Sequence, residues 1–206
     1  MKVITVIPQK IRGNIEISRD NAWLGVFFIL SGAIGNDVEC VCTDFDYKKE
    51  YGSFFEIVEK SGGVVEYKES GFSVRCGGNM RGTEHNCSGM EEYLPAIAMM
   101  CVFCSGESRI KGILPSERER MKEIASELSH LGAKTEVTAD GLVINGCQVL
   151  RCDGAYVWRN PYLAMALIIG ASRCEGELRI LGTEELDNDK FSEFIERYNK
   201  IAEEKI

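Results

Sequence analysis

An order of elements recurs along this 206-residue chain. An extended segment leads to an apolar helix, a strand, a charged amphipathic helix closed by Gly-Gly or Gly-Ala, and two short strands joined by a tight turn. A repeated unit of this kind restricts the fold to architectures in which the copies cover one another's apolar faces. The first copy runs from Asn14 to about Cys76, with a helix over Trp23 to Ile34, a strand over Val38 to Thr43, a helix over Gly52 to Lys60 and a hairpin turning at Ser70-Gly71. The second runs from about Met80 to Asn145, with helices over Glu91 to Cys104 and Glu117 to Leu131 and a hairpin turning at Asp140-Gly141. The third begins at Cys147 and has helices over Pro161 to Ser172 and Asp189 to Ile201, but its hairpin is missing and must come from elsewhere.

Period carries these assignments. From Met121 to Leu131 the apolar residues fall at i, i+3, i+4, i+7 and i+10, which is one helical face. Ser-Gly and Asp-Gly, each after a short alternating run, are hairpin chemistry that supplies the positive φ of tight turns. Units of about 65 residues are too long for a solenoid. Three βαβαββ units closing on one another form a single α/β (α+β) domain over residues 1–206, with 45% hydrophobic and 27% charged residues.

The longest apolar runs, Trp23 to Ile34 and Leu163 to Ala171, are too short to span a bilayer, and no secretory signal precedes them. The expectation is a cytoplasmic protein without a membrane partner. Nine cysteines, an odd number at irregular spacing with only two histidines, support neither a disulfide framework nor a metal site. Cys101-Val102-Phe103-Cys104 lies inside an apolar helix and reads as core. A thiol-reducing compartment follows, and no cofactor is implied.

The net charge of −8 disfavours nucleic acid, whose phosphates require clustered Lys and Arg. One basic patch stands out: Arg118, Arg120 and Lys122 with Arg109 and Lys111 upstream. At a helix N-terminus such a patch can hold a small anion. Glu117, Glu119 and Glu123 neutralise it in the alternative reading.

Several segments carry a family resemblance. Ser116-Glu117-Arg118-Glu119-Arg120 resembles the Lys-Glu-Ser/Thr-Asp-Arg motif of the 5-enolpyruvylshikimate-3-phosphate (EPSP) synthase family, the 3-phosphoshikimate 1-carboxyvinyltransferases of aromatic amino-acid biosynthesis. Asn160-Pro161-Tyr162-Leu163-Ala164-Met165-Ala166 is similar to its Asp-His-Arg-Met-Ala-Met-Ala. Asp189-Lys190-Phe191-Ser192-Glu193-Phe194 resembles its Lys-Ser/Thr-Phe-Pro-x-Phe, and Met90 to Pro95 resembles the start of the helix bearing its substrate-binding Asp. Family enzymes are about twice as long and consist of two globes, each of three βαβαββ units, with the active site between them. This chain resembles the C-terminal globe alone, and Lys2 to Pro8 resembles the N-terminal strand that completes its third unit (residues 1–10).

The resemblance implies enolpyruvyl transfer from phosphoenolpyruvate to the 5-hydroxyl of shikimate 3-phosphate. Glu92 falls at the position of the Asp base, and Glu117 and Arg120 match an acid/base group and a carboxylate clamp. Ser116 stands where the motif has Lys, Pro161 and Tyr162 replace its His-Arg pair, and Asp189 replaces its last Lys, with Lys190 adjacent. Trp158 and Arg159 are candidates for restoring a contact there by a shift in register. Ile17 to Asn21 is not the family's Pro-Gly-Ser-Lys-Ser loop. Each lost charge-assisted contact costs about 1.5 to 3 kcal/mol. The chain is therefore expected to be inactive alone and to need an N-terminal-globe subunit; a homodimer and a lapsed small-anion or protein-binding module are the alternatives.

Overall fold

The computed structural model describes residues 3–147, 149–152, 155–156, 160–182 and 189–206. Trp158 and Arg159 lie outside the described residues. Strand β1 (Val3–Val6) leads into the first repeat: β2 (Arg12–Ile17), α1 (Gly25–Ala33), β3 (Asp37–Cys42), α2 (Tyr47–Lys60), β4 (Val64–Lys68) and β5 (Gly71–Arg75). The second repeat follows the same order: β6 (Glu84–Asn86), α3 (Leu94–Val102), β7 (Glu107–Lys111), α4 (Arg118–His130), β8 (Lys134–Val137) and β9 (Leu142–Asn145). The remainder contains β10 (Leu150–Arg151), β11 (Ala155–Tyr156), α5 (Pro161–Gly170), β12 (Cys174–Glu175), β13 (Leu178–Leu181) and α6 (Asp189–Ile201).

The sheets repeat one pattern. β2-β3-β5-β4 and β6-β7-β9-β8 each join a parallel pair to an antiparallel hairpin. In the third sheet β11 runs parallel to β13, and β1 pairs antiparallel with β13 from Val3↔Leu181 to Val6↔Leu178. Burial alternates along β3 and β7, so each sheet turns one face to the helices and the other to water.

The centre is made of α1, α3 and α5. Each is apolar around nearly its whole circumference, and the three pack on one another, a pattern that belongs to buried helices. The amphipathic helices α2, α4 and α6 bury one stripe each, Phe54, Phe55 and Val58 in α2 and Phe191, Phe194 and Tyr198 in α6. Cys101 and Cys104 are fully buried in this core, and burial pushes the Cys104 thiol up to about 11. All nine cysteines are free thiols. Among the described residues no helix is long and apolar enough to cross a membrane.

Three local expectations are corrected. Helix α2 begins at Tyr47 rather than Gly52, because Asp46 caps it by accepting from the amides of Lys48 and Lys49, and Gly52 sits mid-helix over open space. The segment before α1, Arg19–Leu24, is a 3-10 turn, as is Glu91–Tyr93 before α3. Of the two hairpin glycines only Gly71 has a positive φ, +159°. Gly141 has no positive φ; a Cβ there would stand 1.8 Å from the Ile110 carbonyl oxygen, and one on Gly71 would stand 2.0 Å from that of Cys40. Both glycines let an inner hairpin strand pass close over its neighbour's backbone.

Candidate functional site

Helix beginnings converge on one cleft of about 430 Å³. Glu92 comes from the 3-10 turn that opens into α3, Arg120 from the first turn of α4 and Glu123 from the next, while Asn160, Pro161 and Tyr162 form the start of α5. Helix first turns leave backbone N–H groups free and point the positive end of the dipole outward. The backbone of this wall therefore favours anions; its side chains decide whether one can be held.

Asn160 fixes the geometry between α4 and α5. Its Oδ1 accepts from the Leu163 amide at 3.0 Å, which caps α5, and its Nδ2 donates to Glu123 Oε2 at 3.2 Å. Pro161 at the first helical position loses no hydrogen bond, since that amide would be free anyway. Burial raises the pKa of Glu123, against the opposing effects of Asn160 and Arg120.

Arg120 in the wall and Lys190 beside it already have partners. Arg120 Nη1 lies 2.9 Å from Glu117 Oε2 and donates a long bond, 3.5 Å, to the Glu91 carbonyl. Lys190, in the first turn of α6, donates to the Tyr162 hydroxyl at 2.6 Å and lies 3.7 Å from Glu92 Oε1. Its ammonium also sits over the rings of Trp23 and Tyr162, 5.5 and 5.2 Å from their centroids. Burial, then the hydrogen bond to Glu92, pushes the Tyr162 phenol above its usual range.

The structure brings Glu92 and Arg120 to one cleft. Glu117 reaches it through Arg120, and Ser116 is exposed on the 3-10 turn Pro115–Glu117, outside the cleft wall. Around them Lys122 pairs with Glu119, Arg109 with Glu107 and Lys111 with Glu84, while Arg118 donates to the Thr138 carbonyl. The Ile17 to Asn21 segment serves as a staple: Asn21 Oδ1 accepts from the Ser18 amide at 2.8 Å, and Asn21 Nδ2 donates to Glu193 at 2.6 Å.

Sequence reasoning did not single out Asn160, Glu123 or Trp23 as site residues. The Asn-Pro pair before an apolar run is a helix-start signal that identifies Asn160 as a cap. No pattern in the sequence places Trp23 beside Lys190, because that contact joins residues far apart in the chain. Among the described residues no cluster of His, Cys, Asp and Glu forms a metal centre.

Comparison with known proteins gives a consistent result. The sequence pattern of the family described as EPSP synthase (3-phosphoshikimate 1-carboxyvinyltransferase) matches residues 2–197. A 3-phosphoshikimate 1-carboxyvinyltransferase of Clostridium perfringens is 30% identical over 161 residues, covering 75% of this chain and 37% of the relative. One from Methanococcus vannielii is 27% identical over 180 residues, covering 85% and 42%. The chain thus spans about two fifths of the length of these relatives. Among solved structures, the EPSP synthase of Acinetobacter baumannii superposes with a TM-score of 0.67 at 19% identity over 85% of this chain and 44% of that one. The enolpyruvyl transferase NikO of Streptomyces tendae gives 0.72 at 17% over 88% and 42%. At these identities the structures establish the fold.

Proposed function

Because the chain belongs to the EPSP synthase family, we propose that it is one globe of a cytoplasmic enolpyruvyl-transfer enzyme, inactive alone and completed by a second globe across the cleft. One observation carries this reading. The cleft wall is built from helix first turns that favour anions, yet Arg120, the cation lining it, and Lys190, which lies against its Tyr162 and Glu92, are each paired with a carboxylate of the same globe. Two multiply charged substrates need more positive charge than this wall offers, and a second globe is the place for it to come from.

In this reading the substrates are shikimate 3-phosphate and phosphoenolpyruvate. The sugar hydroxyl adds to C2 of phosphoenolpyruvate while a proton goes to its methylene; phosphate then leaves as the resulting methyl gives up a proton, which restores the C=C bond. Glu92 takes the hydroxyl proton, and Glu117, held by Arg120, serves the proton transfer at the methylene. Arg120 clamps the carboxylate, with Lys190 as the cation that a ligand draws away from Glu92. Ser116 contributes a hydroxyl at the rim. The internal neutralisation of both cations also favours a second reading, a lapsed relative that holds a small anion or a protein partner.

Titration calorimetry with shikimate 3-phosphate at low salt, against inorganic phosphate as control, separates these. Saturable heat that is lost in Arg120→Ala and in Lys190→Ala supports the half-enzyme. Heat no larger than with phosphate supports the lapsed module.

A further inference from the structure

Among the described residues the third sheet has one strand fewer than the first two. β1 holds against β13 the place that β5 holds against β3 and β9 against β7. In the first two repeats β4 and β8 lie outside that strand; among the described residues nothing lies outside β1. An edge strand of this kind presents backbone N–H and C=O groups that template another strand.

Composition marks β1 as an inner strand. The outer strands β4 and β8 carry Glu66 and Lys68, Lys134 and Glu136, charges of the kind that keep edges from pairing with other chains. Val3 to Ile7 has no charge and is β-branched at every position. Val6 is buried, whereas Val3 and Ile7 are 44% and 43% exposed on the opposite face, with Thr5 exposed between them.

We propose that β1 pairs with β1 of a second copy of this chain, antiparallel across a twofold axis at Thr5, so that two three-stranded sheets become one of six. The segment is self-complementary about that point. Val3 of one copy stands opposite Ile7 of the other, Ile4 opposite Val6, and Thr5 opposite Thr5. β-Branched and Thr–Thr cross-strand pairs are among the favourable ones, and a twofold contact is self-complementary by construction. Lys2 and Pro8 bound the segment, so one register pairs all five residues. In the first repeat the outward-facing Ser73 and Arg75 of β5 meet Glu66 of β4, polar against charged. The outward face of β1 carries Val3 and Thr5 and no charge, which matches an uncharged strand like itself rather than a charged one. The cleft contributes no residue to this pairing.

Sedimentation velocity over a wide concentration range tests the pairing on the full chain. The wild type is expected to show a monomer–dimer equilibrium, retained in Thr5→Val and weakened about tenfold or more in Thr5→Lys. Because Thr5 faces water, both variants should keep the wild-type circular dichroism. Hydrogen exchange should show the β1 amides gaining protection as concentration rises. A chain that stays monomeric throughout, or a dimer that Thr5→Lys leaves intact, overturns the proposal. Capture of a β4-like peptide by a monomeric chain overturns it as well and gives the edge to a foreign strand.

Discussion

In the packed interior the first two repeats solve the same problem in the same way, while at the cleft each helix beginning carries something different. Gly71 and Gly141 cross the neighbouring strand at equivalent points of their sheets, and a Cβ on either would fall within bonding distance of a carbonyl oxygen. The first turns at the cleft show no such agreement: Glu92 before α3, Glu119 and Arg120 in α4, Pro161 and Tyr162 in α5. Packing depends on shape and volume, which a repeated unit fixes copy by copy. A polar wall depends on what it faces, and half of what this wall faces belongs to a second globe in the reading proposed above.

The sharpest way to break the comparison is to attack the interior. Gly141→Ala should destabilise the fold by about 3 kcal/mol or more, since backbone must move to admit the methyl. Gly52→Ala, over open space in α2, should instead stabilise by about 0.5–1 kcal/mol. Urea unfolding of both variants checks the pair; equal effects would deny that close approach explains Gly141.

A second test uses the interior's buried histidine. His85 is 2% exposed on β6, with Nε2 3.2 Å from Ser61 Oγ and 3.0 Å from Thr83 Oγ1. Burial, with Lys60 adding to it, lowers its pKa from 6.5 to about 4. The unfolded chain therefore binds the proton first, so the contribution of neutral His85 is fully present above pH 6.5 and is lost as pH falls toward 4. The loss reaches about 3 kcal/mol. His85→Gln should flatten the stability slope in that window, and an unchanged slope would reject the assignment.

Smaller effects come from the cleft side. Asn160→Ala removes the cap of α5 and the partner of Glu123, at a cost of about 1–2 kcal/mol. Tyr162→Phe keeps the ring against Trp23 and Phe27 but loses the bond from Lys190; because Lys190 is half-exposed, the change in stability should stay under about 1 kcal/mol. Thermal melts rank the two, and a reversed order would mean that the Lys190 cluster, rather than Asn160, holds the wall together.

The same contrast explains what the sequence made legible. The apolar central helices and the stripe from Met121 to Leu131 were readable because burial imposes a period, and α6 begins and ends at the expected residues. The start of α2 was not, because Gly52 reads as a boundary while the actual signal, Asp46, is a single capping side chain. Asn160 is visible in the sequence as part of a motif but its second role is not, since a bond to Glu123 depends on how α4 and α5 meet. That Lys190 reaches Tyr162 and Glu92, and that Ser116 lies outside the cleft wall, depend on how the elements pack together, which spacing along a helix or turn does not carry.

The most direct test of the central claim is an assay of phosphate release from phosphoenolpyruvate and shikimate 3-phosphate, run on the purified chain alone and on the chain mixed with the isolated N-terminal globe of an EPSP synthase relative. No release from the chain alone, and release on mixing that Glu92→Gln abolishes, is the result expected of a cleft wall that lacks its opposite face. Turnover by the chain alone would contradict it.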